Sequence, residues 1–451
     1  MRLQFIAAFA ALAAGSAFAA PPMTDPQGRT LVLHGFNTAS SAKGSPDGMP
    51  WVTKADVDKE SSALGFNFVR YLIHWSHIEP QKGVYNETYL DQVAERIGWY
   101  KANGAYVMLD FHQDVYGPYF GSNGAPSWAT FTDGLPWKNV EPWSLTYLQP
   151  GVSRAWDNFW GTASDKGWLQ DSYANMVKHV VQRFKDESAV IMIDIMNEPY
   201  GGALLWPVFE PAKLKPFYEK VISAVRSVTD RITVGYEPQA FGVNQGIAST
   251  LGTPAGNNLA YLPHIYPVLL ETGSTYTGFA KWVIGNTISQ WKYWRNKESS
   301  SVPIIIGEFG LNWHGSGNLD YVNDILDVAD QLSGGFTYWS NDGGSWGPRN
   351  DDGSFNNLAL TLARPYARVI AGKSASWSYN RSGRVLTVSW TADAKISGPT
   401  EVFIPAHVYP NGYSVQGSVS AFTQDYSAST RVLKLSGGAS GQRYTIQIVP
   451  K

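Results

Sequence analysis

IMIDIMNEPYGG, spanning Ile191–Gly202, decides how this chain is read, and VPIIIGEFG, spanning Val302–Gly310, repeats its pattern. Each is a short apolar run of the kind that forms a strand buried on both faces. Each run ends on a glutamate, Glu198 or Glu308, with Pro199 directly after the first, Gly310 two residues after the second, and a change of pattern beyond. A carboxylate at the end of a buried strand is costly unless it has a partner or a task. Strands covered on both faces belong to parallel sheets. In the closed eight-stranded form of such a sheet, the chemistry sits at the C-terminal strand ends.

Working outward, apolar runs alternate with helical patterns over most of the chain. Strands are predicted at Leu31–Phe36, Phe66–Ile73, Tyr106–Phe111, Val190–Met196, Arg231–Tyr236, Leu259–His264, Pro303–Phe309 and Gly335–Trp339. Helices are predicted at Thr88–Asn103, Ser172–Phe184, Lys213–Val228, Phe279–Trp294 and Asn318–Leu332. This alternation predicts an α/β fold, a (β/α)8 TIM barrel. A doubly wound sheet is the alternative, but no Gly-rich phosphate loop follows the first strand. Residues 117–166 are rich in Gly, Pro and Trp and read as one long irregular loop, a feature that is usually functional.

Near residue 372 the pattern changes. Arg384–Trp390, Arg431–Leu435 and Arg443–Val449 alternate with period two, and turn residues such as Gly383, Pro410-Asn411-Gly412 and Gly437-Gly438 separate them. A small all-β sandwich is expected there. The expected organisation is a signal peptide over 1–20, a catalytic barrel over 21–372 and a C-terminal β-sandwich over 373–451.

The first residues carry the marks of export: Arg2, an apolar stretch from Phe5 to Ala14, and Ala17-Phe18-Ala19 as a cleavage site. The stretch is short and alanine-rich for a membrane span. The expectation is a secreted protein, extracellular or periplasmic, of bacterial type, with an uncleaved anchor as the alternative. The chain has no cysteine, which removes disulfides, thiol catalysis and thiolate metal sites. Its net charge of −2 and charged fraction of 16% give no basic field for nucleic acid. A monomer is expected. Trp 18, Tyr 24 and Phe 20 make it aromatic-rich. Core packing accounts for most of these rings, and stacking on sugar rings is the sharper reading.

The predicted strand ends carry an unusual polar set. Arg70 ends the second strand, His112 the third and Asn197-Glu198 the fourth. His264 and Tyr266 end the sixth, Glu308 the seventh and Trp339 the eighth. This ordered set resembles glycoside hydrolase family 5, over roughly Leu31 to Ile370. The resemblance implies a retaining glycosidase with Glu308 as nucleophile and Glu198 as acid/base, the two carboxyls about 5 Å apart. It further implies that Arg70 and Tyr266 keep Glu308 ionised and that Asn197 bonds the sugar 2-OH. Trp339 would floor the −1 sugar, and His112 and His264 would bond sugar hydroxyls or orient the carboxylates. No cofactor is expected. Asp110, His112 and Asp114 alternate like metal ligands, but sugar contact explains the same residues and no metal is called for.

Asp110–Thr130 reads DFHQDVYGPYFGSNGAPSWAT. His112–Tyr116, Asn123–Pro126 and Trp128, with Asn158-Phe159-Trp160 downstream, are similar to the endoglycoceramidase branch of that family. That branch also has a C-terminal β-sandwich, and it cleaves glycan from ceramide. By this resemblance Asp114 bonds the −1 sugar and Trp160 shapes the glycan side. Lys43 falls where the branch has a sugar-contacting lysine, with a solvated loop lysine as the alternative, and Gln239 is a further candidate. A glycolipid or glycoside substrate, met at a membrane or micelle surface, is implied. Other family 5 activities (glucosylceramidase, steryl glucosidase, β-glucanase) are the alternative. A non-catalytic carbohydrate- or lipid-binding protein is the reading from another class.

Overall fold

Eight parallel strands form the centre of the molecule: β1 (Leu33–Asn37), β2 (Phe68–Ile73), β3 (Tyr106–Phe111), β4 (Val190–Asp194), β5 (Thr233–Tyr236), β6 (Leu259–Tyr261), β7 (Ile305–Ile306) and β8 (Gly335–Tyr338). This computed structural model describes residues 23–267, 270, 275–298, 302–332 and 334–451. The segment expected to be a signal peptide lies outside the described residues.

Hydrogen bonding runs β6-β5-β4-β3-β2-β1-β8-β7. The ring closes between β6 and β7 through the Tyr261–Ile304 bridge and the pairing of His264–Ile265 with Glu308–Phe309. The expected barrel is therefore present. Two predicted strands are each broken once. Pro263 cannot donate to a ladder, so the sixth strand pauses between Tyr261 and His264. Gly307 interrupts the seventh, and a Cβ there would lie 2.8 Å from His264 Nε2. These two breaks face one another: Gly307 N–H donates to the Pro263 carbonyl at 3.1 Å. They turn His264 and Glu308 onto neighbouring positions, in register with each other.

Inside the barrel, Leu33, Phe68, Met108, Met192, Leu262 and Ile305 pack as one apolar plug. A larger core fills the space between the strands and the surrounding helices. The 117–166 segment is less irregular than its composition suggests. It contains the helix Pro150–Phe159, opened by Pro150 in its first turn, where a missing N–H costs nothing. Trp156, Phe159 and Ala155 of that helix are buried, which is why an aromatic-rich stretch folds as a core helix rather than a loop.

The C-terminal part is two antiparallel sheets. With β9 (Tyr366–Ile370), β10 (Lys373–Asn380), β11 (Val385–Thr391), β12 (Thr400–Phe403), β13 (Tyr413–Gly417), β14 (Phe422–Ser427), β15 (Val432–Gly437) and β16 (Arg443–Pro450), the orders are β9-β12-β15-β14 and β10-β11-β16-β13. Alternate residues point inward, so Leu386, Val388 and Trp390 meet Val402, Leu433, Leu435, Ile446 and Ile448 in a separate core. β9 also pairs with Thr30–Leu31, just before the first barrel strand. The Tyr366 hydroxyl donates to the Gly65 carbonyl at 2.7 Å, so the sandwich is fastened to the barrel directly.

Candidate active site

Arg70 does not end its strand as expected: it projects from the middle of β2 and is fully buried. Its guanidinium meets four carboxylates: Asp110 at 3.0 Å, Asp194 at 2.8 Å, Glu237 at 3.0 Å and Glu308 at 2.6 Å. It also donates to the amide oxygens of Asn37 (3.0 Å) and Asn197 (2.8 Å). Burial alone would make it easier to deprotonate, but the surrounding acids hold its pKa well above the ordinary arginine value. One cation thus organises the floor of the site.

Glu308 is held at both oxygens. Oε1 accepts from Arg70, and Oε2 accepts from the Tyr266 hydroxyl at 2.7 Å. Glu198 lies opposite. Its Oε1 accepts from Asn244 Nδ2 at 2.7 Å and stands 3.0 Å from His264 Nδ1. Oxygen atoms of Glu198 and Glu308 come within 4.8 Å of one another. Glu198 has a φ of 44°, a conformation a non-glycine residue holds only when its surroundings enforce it. The enforcement is visible. Gln113 Nε2 donates to the carbonyls of Asn197 (2.9 Å) and Glu198 (3.0 Å), and Glu198 N–H donates to Glu237 Oε2 at 2.9 Å.

His264 stands between the glutamates, with Nε2 3.2 Å from Glu237 and Nδ1 3.7 Å from Glu308. Burial works to lower its pKa, but Glu237, Glu308 and the bond to Glu198 outweigh that and raise it well above the usual histidine range. Glu237 is pushed well above the carboxylate range by burial and by Asp194, against the opposing pull of His264 and Arg70.

A second cluster flanks the first. His112 Nδ1 lies 2.7 Å from Asp110. Asp114 accepts from Lys43 (2.7 Å) and Asn123 (2.9 Å). Burial raises Asp114, yet Lys43 and His112 bring its carboxyl well below the usual range. His112 itself is raised, because Asp110 and Asp114 overcome its burial. Trp339 stacks on the His112 ring with centroids 5.4 Å apart and carries Lys43 Nζ 4.1 Å from its ring centre.

The structure thus brings together Lys43, Arg70, His112, Asp114, Asn197, Glu198, His264, Tyr266, Glu308 and Trp339. Two expected site residues stand elsewhere. Trp160 is only 2% exposed, packed among Trp156, Phe159, Phe209 and Phe217, with its Nε1–H donating to the Tyr200 carbonyl at 2.8 Å. It packs as a core residue, its ring set among other aromatic side chains. Gln239 donates to the Phe241 carbonyl at 2.9 Å, and its backbone N–H donates to Glu210, so it braces the loop after β5. Asp194, Glu237 and Asn244 were not anticipated. The signal for Glu237 was present: it follows the buried run Thr233–Tyr236 and precedes Pro238, as Glu198 follows its own run and precedes Pro199.

Two groups bring metal-ligand atoms together, Asp194/Glu237/His264 and Glu198/His264/Glu308. In the first, Arg70 Nη2 already stands between Asp194 and Glu237. Its guanidinium already supplies the positive charge shared by these two acids.

Comparison with known proteins agrees with this geometry. Residues 24–345 match the cellulase (glycosyl hydrolase family 5) model, and residues 364–448 match the glycoside hydrolase family 5 C-terminal domain. Endoglycoceramidase I of Rhodococcus hoagii is 28% identical over 87% of this chain and 80% of its own length. The major extracellular endoglucanase of Xanthomonas campestris pv. campestris is 25% identical over 76% of this chain and 68% of its own. The solved structure of endo-glycoceramidase II from Rhodococcus sp. superposes with a TM-score of 0.88 at 40% identity, covering 95% of this chain and 99% of that one. That enzyme has been solved with ganglioside GM3 and as a lactosyl-enzyme intermediate. A barrel match over most of the chain, followed by the matching C-terminal domain, makes this protein a glycoside hydrolase, and the chain belongs to family 5.

Proposed function

We propose that the protein is a secreted, retaining endo-β-glycosidase that releases the intact glycan from ceramide in glycosphingolipids. The observation that carries the mechanism is the approach of the Glu198 and Glu308 oxygens to within 4.8 Å. Retaining glycosidases hold their carboxyls about 5–5.5 Å apart, whereas inverting ones leave space for a water. In this reading Glu308, steadied by Arg70 and Tyr266, attacks the anomeric carbon and forms an ester. Glu198 gives its proton to the departing ceramide oxygen. Water then attacks the same carbon, Glu198 takes the water proton, and Glu308 leaves as carboxylate.

Among the described residues, the hydrogen bonds to the Glu198 carboxyl fall on Oε1, which leaves Oε2 to meet the leaving oxygen. Asn197, with its amide oxygen on Arg70 and Nδ2 on the Gln113 carbonyl, is fixed to present its remaining N–H to the sugar 2-OH. Asp114, Lys43, His112 and Trp339 line the glycan side. The ceramide reading is supported by the endoglycoceramidase relatives and by the loops after β3, β4 and β5. Those loops leave Trp143, Leu205, Trp206 and Phe241 exposed, apolar surface that suits contact with a micelle or membrane. The protein acts as a monomer in this reading.

The test is product analysis on a detergent-dispersed glycosphingolipid panel. Mass spectrometry should find intact glycan and ceramide, and NMR should find the β-anomer first. An α-anomer as first product sinks the mechanism. Hydrolysis of soluble β-glucan without glycolipid cleavage favours the endoglucanase-like reading, which the Xanthomonas relative keeps open.

A further inference from the structure

The loop that follows β5 holds Glu198 at three points. Glu237 Oε2 accepts its backbone N–H, the Ala240 N–H donates to the next carbonyl, Pro199 (3.2 Å), and Asn244 Nδ2 donates to its carboxylate. The loop is itself anchored, because Tyr266 N–H donates to the Asn244 carbonyl at 2.9 Å. Glu237 is the centre of this clasp. Its other oxygen, Oε1, sits 3.0 Å from Arg70 Nη2 and 3.2 Å from His264 Nε2. Those two groups contact the opposite glutamate, Glu308. One buried side chain therefore ties the strained backbone of Glu198 to the cation that supports Glu308.

We infer that Glu237, together with Asn244, is a positioning residue for Glu198: it fixes the acid/base at the working distance from Glu308 and touches no substrate itself. Glu237 is about 1% exposed, so substrate does not reach it. The geometry needs two acceptor oxygens. One accepts from the Glu198 N–H, and the other accepts from Arg70 and lies 3.2 Å from His264 Nε2. Glutamine offers a single acceptor, and its NH2 group would face a donor on one side. In E237Q the Glu198 main chain loses its anchor or the Arg70–His264 pair loses its link. Misplacement of a reacting group by about 1 Å costs on the order of a hundred-fold in rate.

This inference rests on Glu198 being the acid/base, and the experiment separates the two. Wild type, E198A, E237Q and N244A are compared on a β-glycoside with an alkyl leaving group and on one with an activated dinitrophenolate. Only the alkyl substrate needs protonation. The glycosylation step is followed as kcat/KM. Melting temperature and the rate at which a 2-deoxy-2-fluoro glycosyl donor with the same activated leaving group labels Glu308 are recorded alongside.

The expected result is that E237Q and N244A lose at least about ten-fold more on the alkyl than on the activated substrate, in the same sense as E198A. Glu308 labelling should persist in both. Equal losses on the two substrates in a folded E237Q, with N244A alike, overturn the positioning role. If E237Q does not fold, N244A decides the question by the same ratio. Absence of leaving-group selectivity in E198A means the acid/base assignment itself has failed.

Discussion

Arg70 shows how much one residue decides. It is buried with Asp110, Asp194, Glu237 and Glu308 around it, so its removal leaves several acids without their counter-charge. Breaking a buried ion pair by deleting one partner costs about 3–5 kcal/mol. R70M is expected to lose stability of that order in chemical denaturation and to be inactive. A change below about 1 kcal/mol would show that the acids had simply taken up protons. Glu308 allows a cleaner separation of roles. E308Q keeps the shape and removes the nucleophile, so turnover should fall at least about a thousand-fold. Glycolipid binding, followed by calorimetry, should persist, and near-wild-type turnover would refute the assignment. The test that found Glu198 and Glu308 (a charge closing a buried run) applies equally to Glu237, and was legible for it. Asp194 and Asp110 were harder to read, because an acid inside a strand looks like any polar interruption until its partner is seen.

At the scale of elements, the helical segment before β2 is bonded to the loop after β8. Glu60 accepts from Asn341 Nδ2 at 2.5 Å and lies 3.4 Å from Arg349, which also reaches Asp56 at 3.1 Å. Burial raises Glu60 to about 7, against the opposing pull of Arg349. A carboxyl whose folded pKa is raised binds its proton more tightly when folded. Its contribution is full below the unfolded value, near 4.5, and is lost as pH rises through about 7. E60Q should therefore flatten the fall in unfolding free energy between about pH 4.5 and about pH 7, the window those two values set. A profile as steep as wild type would place the proton elsewhere. His264 acts in the same direction but at higher pH. Its raised pKa gives stability that is present below the usual histidine range and lost as pH climbs past its folded value.

For the molecule as a whole, the sandwich and the barrel share a covered face. Trp377 Nε1 donates to Asp330 at 3.0 Å, Arg431 donates to the Ala63 carbonyl at 3.1 Å, and Arg381 pairs with Asp324 and Asp327. Val32, beside the first barrel strand, packs in the sandwich core with Tyr366 and Phe403. A Cβ at Gly65, which has a φ of 72°, would overlap the Phe403 ring, so the approach leaves no slack. Truncation after residue 372 uncovers this apolar face. The shortened protein should partition into the insoluble fraction on expression. A soluble truncate with wild-type activity on a soluble aryl glycoside would show instead that the module serves substrate capture.

Periodicity alone determined the barrel and the sandwich, because burial on both faces forces continuous apolar strands and a two-layer sheet forces alternation. It also marked both central glutamates, since a charge ending an apolar strand is conspicuous. The tertiary structure decided which polar residues share a site. Trp160 and Trp339 are both tryptophans in aromatic-rich stretches, yet one packs in the core and the other stacks beside His112 at the barrel mouth. Glu237 and Asn244 gained meaning only when the loop after β5 folded over Glu198. Sequence records where a chain must be apolar. Which charges meet depends on how barrel closure aligns strands far apart in the chain, and local composition carries no trace of that.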